Sequence, residues 1–498
     1  MVKKILLLLL IWSLLLAPAT ADTSSIQPYL DRVQERIKEF SLDNGMKFIV
    51  LEDHQAPLIS FVTYADVGSV DEPKGKTGVA HFLEHLAFKG TQHIGTTNYR
   101  KEKPVLKSLD RLFDKIQAAK AAGKPQNLAK LERKFNQKLA QASKYVQQNQ
   151  FGRIVETAGG VNLNAATSTD YTIYFYSFPA NKLELWMSLE SERFLEPVFR
   201  EFYQEKDVIL EERQLRTDNS PIGKMIEEFL NTAFTTHPYK RPTIGYEEDI
   251  RNLTREDIKQ FFATYYVPSN LTIAIVGDVD PTEVEKLAEI YFGRYSKKPA
   301  PPQVTIIEPP QQETKEITLQ LPTQPWYLEG YHRPNLNHPD HPVYQIISGI
   351  LSDGRTSRLY QSLVEEKQIA LNAQSFSGFP GDKYPNLVVF YALTAPGHTV
   401  EEIKTALDTE IERLKTELVT DQELERVKTQ ARADLLRTLD SNIGMARLLT
   451  EYQAKTGNWR NLFKELDRLS FVSAQDIQRV AQNTFVPQNR TIGRLLPN

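Results

Sequence analysis

Two segments of this 498-residue chain repeat one pattern at a fixed offset of 219 residues. The first runs from Leu253-Thr-Arg-Glu-Asp-Ile258 through Tyr266-Val-Pro-Ser-Asn270 to Thr272-Ile273. The second runs from Val472-Ser-Ala-Gln-Asp-Ile477 through Phe485-Val-Pro-Gln-Asn489 to Thr491-Ile492. Seven positions are identical: Asp257/Asp476, Ile258/Ile477, Val267/Val486, Pro268/Pro487, Asn270/Asn489, Thr272/Thr491 and Ile273/Ile492. Each copy reads as a Ser/Thr cap, an amphipathic helix, an aromatic-Val-Pro-x-Asn turn and a β-rich run. Proline stops the helix, and asparagine suits the turn before a strand. Identities held at one offset through helix, turn and strand mark a duplication, so the chain is two copies of one domain.

Between the copies lie Lys297-Lys-Pro-Ala-Pro-Pro-Gln303 and Glu308-Pro-Pro-Gln-Gln312. Proline at that density makes an extended, semi-stiff linker. The boundary therefore falls at residues 297–313, with a first domain over 22–296 and a second over 314–498. In the first, Met46–Leu51 and Ile59–Tyr64 read as paired strands, and Asp170–Ser177 and Leu271–Val276 add two more. Helical patterns occupy 181–195, 203–217 and 282–292. Strands and helices in this mixed order predict the α+β class, each domain a mostly antiparallel sheet covered by helices.

The first copy also carries an insertion at 101–150. Val105, Leu109, Leu112 and Ile116 recur at helical spacing, Ala122-Gly-Lys-Pro125 breaks the pattern, and Leu128, Leu131, Phe135, Leu139, Ala142 and Val146 resume it. This predicts a helical hairpin. It holds 12 Lys/Arg against 4 Asp/Glu, net +8, in a chain whose formal charge is −3. It is a solvated arm, or a docking surface for an acidic partner or a membrane face.

Lys3 and Lys4 precede an apolar run from Ile5 to Leu16 and then Ala17-Pro-Ala-Thr-Ala21. A basic start, a short apolar core and an A-x-A site describe a signal peptide over 1–21, hence an exported, periplasmic or secreted protein. An uncleaved anchor is the alternative reading; no later segment is apolar for long enough to span a bilayer. Near-neutral charge gives no global reason to expect nucleic acid or an acidic membrane as the main partner. With no cysteine, thiolate metal sites, Fe–S clusters and a catalytic thiol are excluded. Any metal must be held by carboxylates and by some of nine histidines.

Two of those histidines stand in His81-Phe-Leu-Glu84-His85, within a stretch free of helix breakers. On a helix, His81 and His85 lie one turn apart on one face, and two imidazoles so placed can share one Zn²⁺. Glu84 falls about 60° round the helix from His81. It borders the same site and can take a proton from water there without being a ligand. The order inverts the commoner H-E-x-x-H. Zinc with an open position needs a third protein ligand. Glu205, Glu211 and Glu212 on the following helical stretch are the candidates. Glu205 and Glu212 share a face and Glu211 projects elsewhere, but spacing alone does not choose.

Four motifs then occur in order: His81-Phe-Leu-Glu-His-Leu-Ala-Phe-Lys-Gly-Thr91; Gly159-Gly160 with Asn164-Ala-Ala-Thr167; Glu205-Lys-Asp-Val-Ile-Leu-Glu-Glu212; and His237-Pro-Tyr239 with Pro242 and Gly245. Together they resemble the pitrilysin/insulinase metallopeptidases, in the subgroup similar to mitochondrial processing peptidase. The resemblance covers essentially the whole mature chain. It implies two homologous domains facing each other around a chamber, and one Zn²⁺ per chain held by His81, His85 and Glu212. It also implies Glu84 as general base and Glu205 as a second glutamate supporting the site. Asn164 and Ala165 would lie on a sheet edge to which an extended peptide or unfolded protein adds as a strand.

Two departures accompany the resemblance. His85 and Glu212 lie 127 residues apart, more than the family's usual separation, and the hairpin accounts for the excess. Single-chain members carry an Arg and a Tyr seven apart in the second domain, where this chain has Val364 and Leu371. Two-chain members divide these parts, so the resemblance implies a homologous second subunit supplying the Arg/Tyr pair, or otherwise a homodimer. The function implied is a zinc endopeptidase; the alternative is a non-catalytic scaffold or peptide-binding subunit.

Overall fold

The computed structural model describes residues 27–123 and 125–498, so the signal peptide expected over 1–21 lies outside the described residues. Residues 27–37 belong to one unit, which carries the helix Gln27–Arg36. Lys38–Asn498 form the other, which holds everything below.

Strands β1 (Ile37–Ser41), β2 (Lys47–Glu52), β3 (Leu58–Ala65), β4 (Val161–Thr167), β5 (Thr172–Pro179) and β6 (Leu271–Gly277) make one sheet, ordered β1-β2-β6-β3-β5-β4. Strands β7 (Lys315–Gln320), β8 (Trp326–Arg333), β9 (Ala370–Phe379), β10 (Asn386–Thr394) and β11 (Arg490–Leu496) make a second, ordered β7-β11-β8-β10-β9. Without β1 the two orders are the same. In both, the strand after the Val-Pro-x-Asn turn runs parallel to the first strand and antiparallel to the second. The 219-residue repeat is thus one topology built twice, as two α+β domains in contact.

One pairing differs from the sequence reading. β2 and β3 are not neighbours, because β6 lies between them. Strands lie about 4.8 Å apart, so the five residues between β2 and β3 easily step across one strand. β6 is apolar on both faces, with six of its seven residues buried, and gains most from a central place.

The first core packs Phe48, Phe61, Phe82, Trp186 and Phe202 beneath this sheet, with Phe61 and Trp186 stacked at 4.3 Å. The domains then exchange helices. Asn442–Thr456, from the second half, lies on β3 and β6; Pro221–Ala233, from the first, lies on β7 and β11. Met225, Phe229 and Leu230 of the latter pack on Leu328, Leu387, Val389 and Leu495. Gly330 and Gly493 make room, since a Cβ on either would sit 2.9–3.1 Å from Phe229. The exchanged helices begin alike, as Ser220-Pro-Ile-Gly223 and Ser441-Asn-Ile-Gly444, each serine accepting its glycine's N–H (3.2 and 3.4 Å). Sequence reasoning missed this second repeat.

Asp170 fastens the halves. Its carboxylate accepts the backbone N–H groups of Asp382 (2.8 Å) and Lys383 (3.0 Å) and the Tyr239 hydroxyl (2.6 Å). Residues 297–313 contain no helix or strand, yet they are pinned. Glu308 accepts N–H groups from Thr235, Thr236 and His237 at 2.6–2.9 Å. Partial burial opposes ionisation of Glu308, but these bonds outweigh it and hold the carboxyl down to about 2.

The hairpin comprises Tyr99–Ala121 and Pro125–Ser143, turning at Gly123 with φ +61°. Its root is packed: Val105, Leu106, Leu109 and Ala142 belong to the first core, and Phe113 and Phe135 flank Tyr203.

Candidate metal centre

The His81-Phe-Leu-Glu84-His85 sequence is helical over Val79–Leu86, with Phe82, Leu83 and Leu86 turned into the core. Gly78 starts the helix at φ +85°, where a Cβ would meet the Ile244 carbonyl at 2.7 Å. The first N–H groups of a helix lack partners within it. Here Glu72 supplies them, accepting the N–H of Gly78 and of Ala80 at 2.9 Å each. Burial raises this carboxyl to about 8 against those two bonds. No spacing rule singled out Glu72, which acts from a loop.

Helix Phe202–Arg213 runs alongside and presents Glu205 and Glu212, while Glu211 is exposed, as expected. Glu212 Oε2 lies 3.7 Å from His81 Nε2 and 3.5 Å from His85 Nε2. One ligand atom from each of His81, His85 and Glu212 lies within 4.8 Å of the other two. Tetrahedral zinc with bonds of about 2.0–2.1 Å needs donors roughly 3.3 Å apart, so the set fits with small adjustment. The His81 ring is lowered to about 4, first by burial and then by the neighbouring His85, which keeps it in the neutral, ligating form. Its Nδ1 is buried without a hydrogen-bond partner among the described residues.

Around these three stand five further groups. Glu205 Oε2 lies 3.3 Å from His85 Nδ1, and its other oxygen pairs with Lys89. Arg216 pairs with Glu212 Oε1 at 2.8 Å, one turn on. Glu84 is raised above the ordinary carboxylate range, first by burial; the Thr167 hydroxyl, donating at 2.6 Å, works against that rise. Thr167, Lys89 and Arg216 were not singled out by sequence. The i, i+4 spacing of Glu212 and Arg216 was the one available signal among them.

Asn164 and Ala165 lie on β4, the outermost strand, which pairs only with β5 among the described strands. The Ala165 N–H is accepted by the Asn164 side chain at 2.8 Å. Beside this edge a cavity of about 470 Å³ is lined by Thr167, Arg216, Ile226 and Arg241 of the first half and Phe379 and Pro380 of the second. Val364 sits in the short π-helix Tyr360–Glu366 and Leu371 half-exposed on β9.

His237 opens a packing turn, its Nδ1 accepting the Tyr239 N–H. His338-Pro-Asp-His341 reads in sequence as a surface loop; His338 does lie in that turn, its side chain 43% exposed, and only His341 departs from the reading. His341 opens the helix His341–Ser352 and is buried, 2.9 Å from Arg333. Proline at the second position of that helix favoured helix over loop.

A duplicated α+β chain that brings two helical histidines, a glutamate and a neighbouring desolvated carboxylate to one point has the form of a zinc peptidase. The family described as insulinase (peptidase family M16) matches residues 47–103 and 135–247, and the peptidase M16 inactive domain matches 252–431. The chain belongs to the M16 family. It is 29% identical over 464 residues to "Zinc protease PqqE" of Helicobacter pylori, covering 92% of each chain. It is 26% identical to the "Probable mitochondrial-processing peptidase subunit beta" of Schizosaccharomyces pombe, covering 89% of this chain and 87% of that one. The crystal structure of a protease from Helicobacter pylori superposes with a TM-score of 0.78 at 28% identity, over 93% of this chain and 99% of that one. That of the periplasmic protease PqqL from Escherichia coli has the same fold at 17% identity, TM-score 0.69, over 93% of this chain and 48% of that one.

Proposed function

We propose that the chain is an exported zinc endopeptidase that cleaves extended peptides or unfolded polypeptides. The observation that carries this is the convergence of His81, His85 and Glu212 on one point, with Glu84 at its border. Zinc held by those three supplies a Lewis acid that acidifies a water and polarises a peptide carbonyl. Glu84 is the base. Its half-desolvated carboxylate accepts the proton of the attacking water and returns it to the leaving amine nitrogen. Glu205 orients His85 through Nδ1. The free edge of β4, at Asn164 and Ala165, offers main-chain groups to a substrate in strand form once the Asn164 side chain swings away.

Membership of a zinc-protease family and the likeness to a relative named as periplasmic support this reading, as does the basic-apolar-small pattern of residues 1–21. Glu84→Gln is the test: it keeps zinc by metal analysis and abolishes cleavage of an unfolded protein. Cleavage by a zinc-replete Glu84→Gln protein would overturn the mechanism.

The substrate-holding Arg/Tyr pair would come from a homologous second chain. The aliphatic residues Val364 and Leu371, and the likeness to a protein named as a subunit, support this. Full activity of the purified chain alone, unchanged by a homologous partner, would overturn it.

A further inference from the structure

The hairpin Tyr99–Ala121 with Pro125–Ser143 has no counterpart in the second half, where only the short π-helix Tyr360–Glu366 stands between His341–Ser352 and β9 among the described elements. Residues 104–134 also fall between the segments matched by the insulinase family. Neither the fold nor the metal centre accounts for it.

Its charge is one-sided. Two of its four carboxylates are engaged inward, Glu102 by Arg200 at 3.0 Å and Asp110 by Arg255 at 2.7 Å. Only Asp114 and Glu132 remain on the surface. Ten of its twelve Lys/Arg are exposed, and none of those ten is in an ion pair among the described residues. Elsewhere several exposed cations have carboxylate partners, as in Arg251–Glu247, Arg437–Asp434 and Arg479–Asp340, while others such as Lys74, Lys286 and Lys464 stand singly without one among the described residues.

The unpaired cations are also ordered. Lys103, Lys107, Arg111 and Lys115 recur every fourth residue and make one stripe about 18 Å long at 1.5 Å per residue. At its Tyr99 end the stripe meets a cavity of about 380 Å³, lined by Lys103, Lys107 and Lys259 with Leu106, Phe199 and Phe262; it also holds the carboxylates of Glu196 and of Asp110, the latter paired with Arg255. Cationic and apolar surface share that cavity, which suits a phosphate carried on a hydrocarbon chain.

We propose that this face docks the chain on an anionic lipid bilayer, with headgroup phosphates along the Lys103–Lys115 stripe and one lipid headgroup at the cavity. A protein partner would need an apolar or aromatic centre. None of the exposed large hydrophobic side chains of the described residues lies on the hairpin. Single-stranded nucleic acid would need successive stacking aromatics along the cations; Tyr99 lies only at the cavity end, and Phe113, within the stripe's span, packs on Tyr203. A bilayer surface requires only a run of unpaired cations at close range. An exported chain, as residues 1–21 predict, meets such a surface.

The test is co-sedimentation of the full chain with phosphatidylcholine vesicles and with vesicles containing about 30% phosphatidylglycerol. Comparing the two cancels any contribution of the apolar N-terminus. Binding is expected to be roughly tenfold tighter to the anionic vesicles and to vanish as salt rises from about 50 to about 300 mM. The fourfold variant Lys103→Glu/Lys107→Glu/Arg111→Glu/Lys115→Glu should lose that preference. The milder Lys→Gln/Arg→Gln set at the same positions should lose most of it, with the unfolding temperature and zinc content of the parent. Equal binding to both vesicles would overturn the proposal, as would a preference that survives both variants. Capture by soluble polyglutamate more tightly than by anionic vesicles would overturn it in favour of an acidic protein partner.

Discussion

His85 Nδ1 faces Glu205 Oε2 at 3.3 Å, and the second oxygen of the same carboxylate is held by Lys89. The pair leaves His85 Nε2 turned toward Glu212, 3.5 Å away. A carboxylate behind a ligating imidazole fixes its orientation and raises its basicity. Glu205→Ala should therefore lower zinc affinity by about 10–100-fold with the fold retained. Competition with a chromogenic chelator measures it, and parental affinity in the variant would remove the orienting role.

The same geometry makes zinc uptake a proton exchange. Burial lowers the affinity of His85 for a proton, but hydrogen bonds to Glu205 and Glu212 outweigh it and raise the group to about 9. Without metal, His85 is protonated at pH 7, and zinc must displace that proton from Nε2. Apparent zinc affinity should then rise with pH up to about 9 and level off above it. Titration calorimetry at pH 7 in buffers of different ionisation enthalpy should report about one proton released per zinc. Heats independent of the buffer would contradict it.

How much of this was legible beforehand follows from the range of each interaction. His81, Glu84 and His85 share one helical turn, so their juxtaposition is local and the sequence carries it. The duplication was legible because the aromatic-Val-Pro-x-Asn turn needs particular residues at fixed places. Choosing among Glu205, Glu211 and Glu212 took the family resemblance, since the second helix reaches the first only through tertiary packing. Glu72 and Thr167 carry no spacing signal, because each meets its partner across a loop or a sheet edge. The insertion of β6 between β2 and β3 was hidden for the same reason: both flanking strands are apolar enough to pair directly.

Thr167 tunes the proposed base. Burial raises the Glu84 carboxyl, and the Thr167 hydroxyl, bonded at 2.6 Å, favours its ionised form. Removing that bond in Thr167→Val raises the carboxyl further. A base works only when deprotonated, so the acid limb of kcat/KM should move to higher pH in the variant. The loss should be largest at the acid end of the profile and should narrow as pH rises. An acid limb that stays in place while activity falls at every pH would assign Thr167 a packing role instead.

The two exchanged helices offer a paired test of whether the metal centre depends on the domain contact. Gly223 and Gly444 begin these helices, and a Cβ would lie 2.1 Å from the Arg216 carbonyl oxygen in the first and 2.3 Å from that of Thr438 in the second. Both contacts are with backbone, so neither can be relieved by a side-chain rotation. Gly223→Ala and Gly444→Ala should each destabilise the fold by about 1–3 kcal/mol in denaturant unfolding. Their effects on metal should differ. Arg216 lies on the π-turn Gln214–Asp218 and pairs with Glu212 Oε1, so displacing its carbonyl disturbs the glutamate nearest both histidines. Thr438 ends the helix Asp421–Leu439 in the second half and has no such link. Zinc affinity should therefore fall in Gly223→Ala and hold in Gly444→Ala at equal loss of stability. Equal zinc affinity in the two variants would mean that the Arg216 turn does not transmit strain to Glu212.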